Sequence, residues 1–147
     1  MIDPADFPAP LQDGVAALAR DMTRHGADRD APVREVMARL GDRWSTLVLL
    51  VLTIGEWRHA DLRRVLSRLS AEQAISQRVL TLKLRALERD GFVARKITED
   101  VPPRVSYRLT PLGADLAQEA RRLIDWVNAQ ADIIRAARAA FDAQDCA

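Results

Sequence analysis

Positively charged side chains are concentrated in one part of this 147-residue chain, between residues 57 and 108. That segment holds 12 Lys and Arg against 6 Asp and Glu, a balance of +6, whereas the remaining residues hold 10 against 15, a balance of −5. The formal net charge of +1 conceals this asymmetry. Because clustered cations release counterions from a phosphate backbone, the segment is a candidate surface for nucleic acid.

A helix is predicted inside this basic segment, with Ser76 as its N-cap and its end at Asp90-Gly91. At 100° per residue, Leu80, Leu84 and Leu87 share one side and predict the core face. The first turn and the opposite side supply the candidate DNA contacts, which are Ser76, Gln77, Arg78, Thr81, Leu82, Arg85 and Arg89.

These outward side chains have the chemistry of base and phosphate recognition. Arg78 and Arg85 can pair bidentately with guanine O6 and N7 or with a phosphate. Thr81 offers a hydroxyl to a base or a phosphate, and Leu82, apolar but outward, can meet a thymine methyl. The competing interpretation is a basic helix face that is merely solvated.

A basic hairpin is predicted directly after this helix. Residues 93–97 and 105–109 alternate as half-buried strands do, and they flank a Pro-Pro turn. Its candidate DNA contacts are Arg95, Lys96 and Arg104. A basic helix followed by a basic hairpin suits a duplex, since the helix enters the major groove and the hairpin, or wing, reaches phosphates or the neighbouring minor groove.

Arg104 has an alternative role, because two acidic residues stand in the same turn. A salt bridge from Arg104 to Glu99 or Asp100 would tie the turn together and leave no charge for DNA.

The other elements are predicted to be mostly helical, from apolar periodicity and from Pro, Gly and capping residues. In chain order they are a loosely structured lead over 1–10, a helix through Leu11–Met22 ending at Gly26, a helix from Pro32 to Gly41, a helix capped by Asp42 and running to Ile54, a short strand at 57–59, a helix over roughly 60–68, and a long final helix from Thr110-Pro111. The predicted fold class is therefore mainly α (α+β), a winged helix-turn-helix domain with a two-stranded β wing and flanking helices.

Three regions follow from this order. We expect an N-terminal extension with one helix over residues 1–30, a DNA-binding domain over 31–110, and a C-terminal dimerisation helix over 111–147.

The final helix carries an apolar stripe that extends along about 30 residues, longer than the usual helix. A stripe of this length needs a partner surface, and an isologous homodimer would supply it. The predicted dimerisation residues are Leu11, Val15, Leu18 and Met22 in the first helix and Leu116, Leu123, Val127 and Ile134 in the last. The alternative is a last helix that folds back on its own domain.

Evidence for a small-molecule effector is limited to three tryptophans. Trp44, Trp57 and Trp126 could line a pocket, although tryptophans in a small helical protein more often belong to the core. His25 and His59 have no clustered carboxylate or thiol nearby in sequence, so no metal site and no cofactor are predicted.

Several protein classes are disfavoured by the sequence. It contains no Gly-rich phosphate loop and no nucleophile–base pair, so we do not expect an enzyme. The single cysteine, Cys146, excludes an intrachain disulfide framework. The longest aliphatic run, Leu47 to Leu52, is too short to span a bilayer, and the N-terminus lacks the features of a secretory signal. We expect a cytoplasmic protein.

Several motifs stand out in the sequence, and they include Gly41-Asp42-Arg43-Trp44, Leu84-Arg85-Ala86-Leu87-Glu88-Arg89-Asp90-Gly91, Val101-Pro102-Pro103-Arg104-Val105 and Leu109-Thr110-Pro111-Leu112-Gly113. Taken together, over about residues 31–128, they resemble the HxlR family of bacterial regulators, relatives of the MarR group. The resemblance implies a homodimeric winged-helix transcription factor whose second helix-turn-helix element lies at Ser76–Asp90.

The chain departs from the family pattern at four places. Ala31 replaces a cysteine that senses oxidants in some members, which rules out thiol sensing at this position. Arg58-His59-Ala60 stands where Arg-Phe-Ser is usual and removes the usual serine cap. The stretch from Ser67 to Ala74 is longer than expected and can alter the angle of the recognition helix, while Leu82 replaces a residue that is often polar.

The leading hypothesis is a homodimeric transcriptional repressor that reads a pseudo-palindromic DNA operator. The alternative is a winged-helix interaction module whose basic face binds an acidic protein or RNA.

Overall fold

The structure, a computed structural model, describes residues 2–70 and 74–146 and divides the chain into two compact units between Asp42 and Arg43. The first unit contains a 3₁₀ turn at Pro4–Asp6, α1 at Ala9–His25 and α2 at Pro32–Leu40. The second unit contains α3 at Ser45–Leu52, β1 at Trp57–Arg58, α4 at His59–Leu69, α5 at Gln77–Arg89, β2 at Val93–Ile97, β3 at Val105–Leu109, α6 at Pro111–Ala129 and α7 at Ala131–Asp145.

The first unit follows the predicted helix boundaries at the end of α1. The Gly26 amide donates to the Met22 carbonyl at 2.9 Å and closes the helix there. The expectation of a loosely structured lead over residues 1–10 is wrong in part, because Asp3 accepts a hydrogen bond from the Ala5 amide at 2.9 Å and starts a 3₁₀ turn. The helix α1 begins earlier than its apolar stripe, at Ala9.

The helix α3 supplies much of the core of the second unit, as its aliphatic sequence predicts. Val48, Leu49, Val51 and Leu52 are each at most 3% exposed. Within residues 2–70 and 74–146, neither α3 nor any other helix combines the length and apolarity needed to cross a membrane.

The predicted end of α3 at Ile54 is wrong, and the helix begins at Ser45. The Asp42 amide donates to the Arg39 carbonyl at 3.0 Å in the turn that ends α2. The N-cap position of α3 is Trp44, which makes no capping bond with its side chain. At the other end the Thr53 hydroxyl donates to the Leu50 carbonyl, and Ile54 lies outside the helix and 74% exposed.

The predicted two-stranded wing gains a third strand, so that an antiparallel sheet forms in the order β1-β3-β2. In the wing, β2 and β3 are antiparallel, and their pairing runs from Val93 with Leu109 to Ile97 with Val105 beside the turn. The short strand β1, predicted at 57–59, pairs Trp57 with Tyr107 and Arg58 with Ser106. The indole of Trp57 also donates to the Val51 carbonyl at 3.1 Å, which ties β1 to the helix α3.

The helix-turn-helix consists of α4 and α5. Leu62, Leu66 and Ile75 are buried at their junction, and the Arg63 Nε donates to the Ile75 carbonyl at 2.9 Å. The expectation of an altered helix angle from the stretch 67–74 falls partly on residues 71–73, which lie outside the described residues. The helix α4 begins at His59 with Arg58 as its N-cap, so residue 60 is not the cap position in this chain.

The prediction of one continuous final helix of about 30 residues is wrong. The chain breaks at Gln130 (φ −96°, ψ 2°) into α6 and α7. The Gln130 amide donates to the carbonyls of Trp126 and Val127, while its own carbonyl accepts from the Ile134 amide and starts α7. The apolar periodicity continues through the break, because a single residue leaves the helical conformation.

The start of α6 lies against the end of α5 through two glycines and a threonine. Gly91 has φ +82° and turns the chain after α5. Thr110 caps α6 as predicted, since its hydroxyl accepts from the Gly113 amide at 3.0 Å. A Cβ atom at Gly113 would lie 1.8 Å from the Phe92 carbonyl oxygen, so only glycine permits this approach.

We expect Gly113→Ala to lower the free energy of unfolding by about 1–3 kcal/mol, because the added methyl group must push α6 off the Phe92 backbone. Chemical denaturation followed by circular dichroism measures the change. Gly55→Ala is the matched control, because a Cβ atom at Gly55 meets nothing within 4 Å. Equal stability of Gly113→Ala and Gly55→Ala would contradict the described apposition.

Candidate nucleic-acid interface

The helix α5 is oriented by its cap and by its inner face. The Ser76 hydroxyl accepts from the Val79 amide at 3.1 Å, which confirms Ser76 as the N-cap. Leu80, Leu84 and Leu87 are fully buried, as their angular positions predict. The opposite side of the helix is therefore held outward.

The outward face of α5 forms a shallow depression of about 500 Å³. Its lining residues are Gln77, Arg78, Thr81, Leu82 and Arg85. Leu82 lies among these polar residues and is 57% exposed. Neither Arg78 nor Arg85 forms an ion pair with an acidic residue of the described chain. Both guanidinium groups can therefore bind an anionic ligand without first breaking an internal ion pair.

Thr81 is half-buried and its hydroxyl is already engaged. The hydroxyl donates to the Gln77 carbonyl at 2.8 Å, and it lies 3.1 Å from Nε2 of His59. A hydroxyl has one hydrogen, so Thr81 can only accept a hydrogen bond from a ligand unless its bond to Gln77 breaks. Arg89 is exposed in the last turn of α5.

The wing presents its predicted cations in different settings. Nε of Arg95 lies 3.9 Å from a carboxylate oxygen of Glu88, so the first strand of the wing is linked to α5. Lys96 is exposed one residue further along the strand, opposite Ser106.

Arg104 stands where the wing turn returns to β3. Its amide donates to the Thr98 hydroxyl at 3.0 Å, and its carbonyl accepts from the Thr98 amide at 2.9 Å. The described residues include both Glu99 and Asp100, and neither forms an ion pair with Arg104. The alternative of a salt bridge that ties the turn is therefore wrong, and the Arg104 charge remains unpaired.

A second depression of about 430 Å³ separates α5 from the wing. Its lining residues are Arg58, His59, Ala60, Gln77, Thr81, Arg95, Arg104, Val105 and Tyr107. We call this depression the wing cleft. Gln77 and Thr81 line both depressions, so the outer face of α5 continues into the wing cleft without interruption.

Sequence reasoning missed Arg58 and His59 as residues of this surface. The sequence predicts a short strand at both positions, and the pairing of Arg58 with Ser106 brings them beside the wing. The one available signal was the replacement of Phe-Ser by His59-Ala60 in the family pattern, which was interpreted only as the loss of a cap.

Two side chains of the cleft have shifted pKa values. Burial, and then the charge of Arg63, lower the pKa of His59 below its usual 6.5. Burial is also the main reason that the pKa of Tyr107 lies above its usual 10. Both groups are therefore neutral near pH 7.

The predicted dimerisation residues are mostly on the surface of the single chain. Leu11, Leu18, Met22, Leu123 and Val127 are exposed, with Leu18 at 64%. The other three are partly buried: Val15, Leu116 and Ile134. Ile133 and Phe141 on α7 are exposed as well.

The three tryptophans lie in different surroundings. Trp44 and Trp57 are half-buried, whereas Trp126 on α6 is 62% exposed. A cavity of about 480 Å³ lies between α3 and α6, but other residues line it: Leu50, Thr53, Ala114, Ala117, Gln118, Arg121 and Arg122. No group of three His, Cys, Asp or Glu side chains among residues 2–70 and 74–146 could hold a metal ion.

Comparison with known proteins gives a consistent result. Residues 39–134 match the model of the HxlR-like helix-turn-helix family. The HTH-type transcriptional regulator YtfH of Escherichia coli K12, itself uncharacterized, is 40% identical over 96 residues, which are 65% of this chain and 71% of YtfH. The regulator YdeP of Bacillus subtilis is 35% identical over 114 residues, or 78% of this chain and 84% of YdeP.

Solved structures agree with these relatives. The transcriptional regulator ytfH from Salmonella typhimurium superposes with a TM-score of 0.62 at 36% identity and covers 76% of this chain and 94% of its own. The redox regulator HypR in its reduced form superposes with a TM-score of 0.61 at 31% identity, over 72% of this chain and 99% of HypR.

Proposed function

The chain belongs to the HxlR-like helix-turn-helix family of transcriptional regulators, and we propose that it is a homodimeric repressor that reads a pseudo-palindromic operator with α5 and the wing. Repression requires only that the protein occupy a promoter. We propose that the protein acts in the cytoplasm, where it reaches chromosomal DNA.

The observation that carries the proposal is the continuous surface formed by the outer face of α5 and the wing cleft. Arg78, Arg85 and Arg104 lie on this surface without an acidic partner among the described residues. Unpaired arginines avoid the cost of breaking an internal ion pair when a phosphate or a guanine arrives. Leu82, exposed between them, would meet a thymine methyl.

We propose two roles for the contact residues. Those on α5 meet base edges in the major groove, and they are Gln77, Arg78, Thr81, Leu82 and Arg85. Those at the cap, the end of the helix and the wing meet the backbone, and they are Ser76, Arg89, Arg95, Lys96 and Arg104. The linkage of Arg95 to Glu88 gives Arg95 the additional role of fixing the wing relative to α5.

A homodimer would cover the exposed apolar side chains of α1, α6 and α7. Single exposed leucines are ordinary, but Leu11, Leu18 and Met22 follow one another on a single face of α1. We propose that residues 1–30 and 111–147 form the dimer interface around the DNA-binding domain of residues 31–110. A two-fold axis would place the two copies of α5 one DNA turn apart, about 34 Å.

We propose no role in effector binding for the three tryptophans as a group, because Trp44 and Trp57 are half-buried whereas Trp126 is exposed.

We expect Arg85→Ala and Arg104→Ala to change DNA binding in different ways. Loss of Arg85 should cost about 1–3 kcal/mol on the operator and relax the preference for one base pair, because its contact is to a base edge. Loss of Arg104 should weaken all duplexes alike and reduce the slope of log K against log salt by about one, because its contact is to a phosphate.

Fluorescence anisotropy on duplexes from the region upstream of the coding sequence, against a shuffled duplex, measures both effects across a salt series. Arg29→Ala is the matched control, because Arg29 is exposed in the loop between α1 and α2. Equal affinity of wild type and all three variants would contradict the proposed interface. Weak binding without preference for any duplex would favour the alternative, a module for an acidic protein or RNA.

We expect Leu18→Glu to convert the dimer to a monomer, because it places a charge within a buried apolar interface. Ala17→Glu is the control, since Ala17 is exposed on the same helix but about 120° from the stripe. Sedimentation equilibrium measures the mass of each variant. A Leu18→Glu protein that remains dimeric at micromolar concentration would exclude α1 from the interface.

A further inference from the structure

The wing cleft contains a titratable side chain among arginines. Arg58 precedes His59 at the start of α4, and Arg95 and Arg104 line the cleft from the wing. The chain has only two histidines, and His59 is the one in the cleft. Its ring also lies beside Tyr107, with 6.1 Å between ring centroids.

The hydrogen bonds of His59 fix which of its nitrogens is available. Because the Thr81 hydroxyl gives its hydrogen to Gln77, its oxygen is an acceptor toward His59, 3.1 Å from Nε2. Nε2 therefore carries a hydrogen, and Nδ1 of the neutral ring keeps its lone pair. Nδ1 can take up a proton without breaking the bond to Thr81.

The charges around His59 come from each element that packs against it. They include Arg58 on β1, Arg63 on α4, Arg95 on β2, Arg104 in the wing turn, and the neutral Tyr107 on β3. Two acids lie nearby, and each is paired: Glu88 with Arg95 and Asp61 with Arg64. Arg58, Arg63 and Arg104 have no carboxylate partner among the described residues, so the charge around His59 is net positive.

The first turn of α4 adds to this field. The N-cap position is Arg58, whose side chain makes no capping bond, and the one acidic residue of the turn, Asp61, pairs with Arg64. His59 and Ala60 of this turn line the cleft. A helix start without a cap is favourable for an anion when cations stand beside it.

We propose that the wing cleft seats one backbone phosphate of the bound DNA and that His59 takes up a proton from solvent at Nδ1 when the phosphate is seated. This inference rests on the proposed function, because it requires a duplex lying across α5 and the wing. It adds a site for an oxyanion, and a dependence on pH, to that function.

The direction of the pH dependence follows from the charges. In the free protein, burial and the charge of Arg63 hold the pKa of His59 below its usual value. A seated phosphate brings a negative charge and raises the pKa, so the complex binds more protons than the free protein. DNA affinity therefore rises as pH falls through the range between the two pKa values, and it is independent of pH above both.

The first test is DNA affinity against pH at constant ionic strength, for wild type, His59→Gln and His25→Gln. Glutamine at position 59 can still donate to Thr81 but does not titrate, and His25 is the matched control on α1. We expect wild type and His25→Gln to bind about threefold to tenfold more tightly at about pH 6 than at about pH 8, since each unit of pKa shift is worth up to tenfold. His59→Gln should lose this gain.

The second test is an NMR titration of the His59 ring in the full-length protein, alone, with the operator duplex, and with inorganic phosphate. We expect the duplex to raise the pKa of His59. A rise with inorganic phosphate and none with the duplex would overturn the assignment to DNA and identify the cleft as a site for a free phosphate compound.

Two further results would overturn the proposal in distinguishable ways. If every protein binds DNA and His59→Gln keeps the wild-type gain at low pH, the phosphate seat is wrong and the DNA-binding function stands. If no duplex binds at any pH, the proposed function fails, and the seat for a DNA phosphate fails with it.

Discussion

The burial of one side of α5 is the constraint on which the interface depends. Leu80, Leu84 and Leu87 have no exposed surface, so the helix cannot rotate without drawing apolar side chains into water. That anchoring holds Arg78 and Arg85 outward, where they have no acidic partner within the described chain. An unanchored helix would be free to turn its arginines toward nearby carboxylates. Burial of the three leucines therefore keeps the two arginines on the surface of the protein.

The sequence was sufficient for the features that depend on local chemistry. The N-caps Ser76 and Thr110, the inner leucines of α5 and the bounds of the wing strands were all predicted, because each is encoded within a few adjacent residues. The predicted alternation of burial is wrong for β2, where Val93 is buried but Ile97 is 53% exposed. The family resemblance agreed with these features.

Features that depend on residues distant in sequence were not predictable in the same way. The wing cleft exists because Arg58 pairs with Ser106, 48 positions away, and nothing in the sequence around Arg58 indicates that register. Whether Arg104 is paired with Glu99 or Asp100 also depended on the shape of the turn. The break at Gln130 escaped prediction for another reason, since no proline or glycine stands there and the apolar spacing continues through it.

That break has a geometric consequence for the end of the chain. An unbroken helix from Pro111 to Asp145 would be a stiff rod of about 50 Å at 1.5 Å per residue. Instead, α6 and α7 are two arms of roughly 28 and 22 Å joined at Gln130, where the backbone leaves the helical conformation. A partner surface that follows a straight rod needs a single line of contacts. A surface that covers both α6 and α7 must also fit the change of backbone conformation at Gln130.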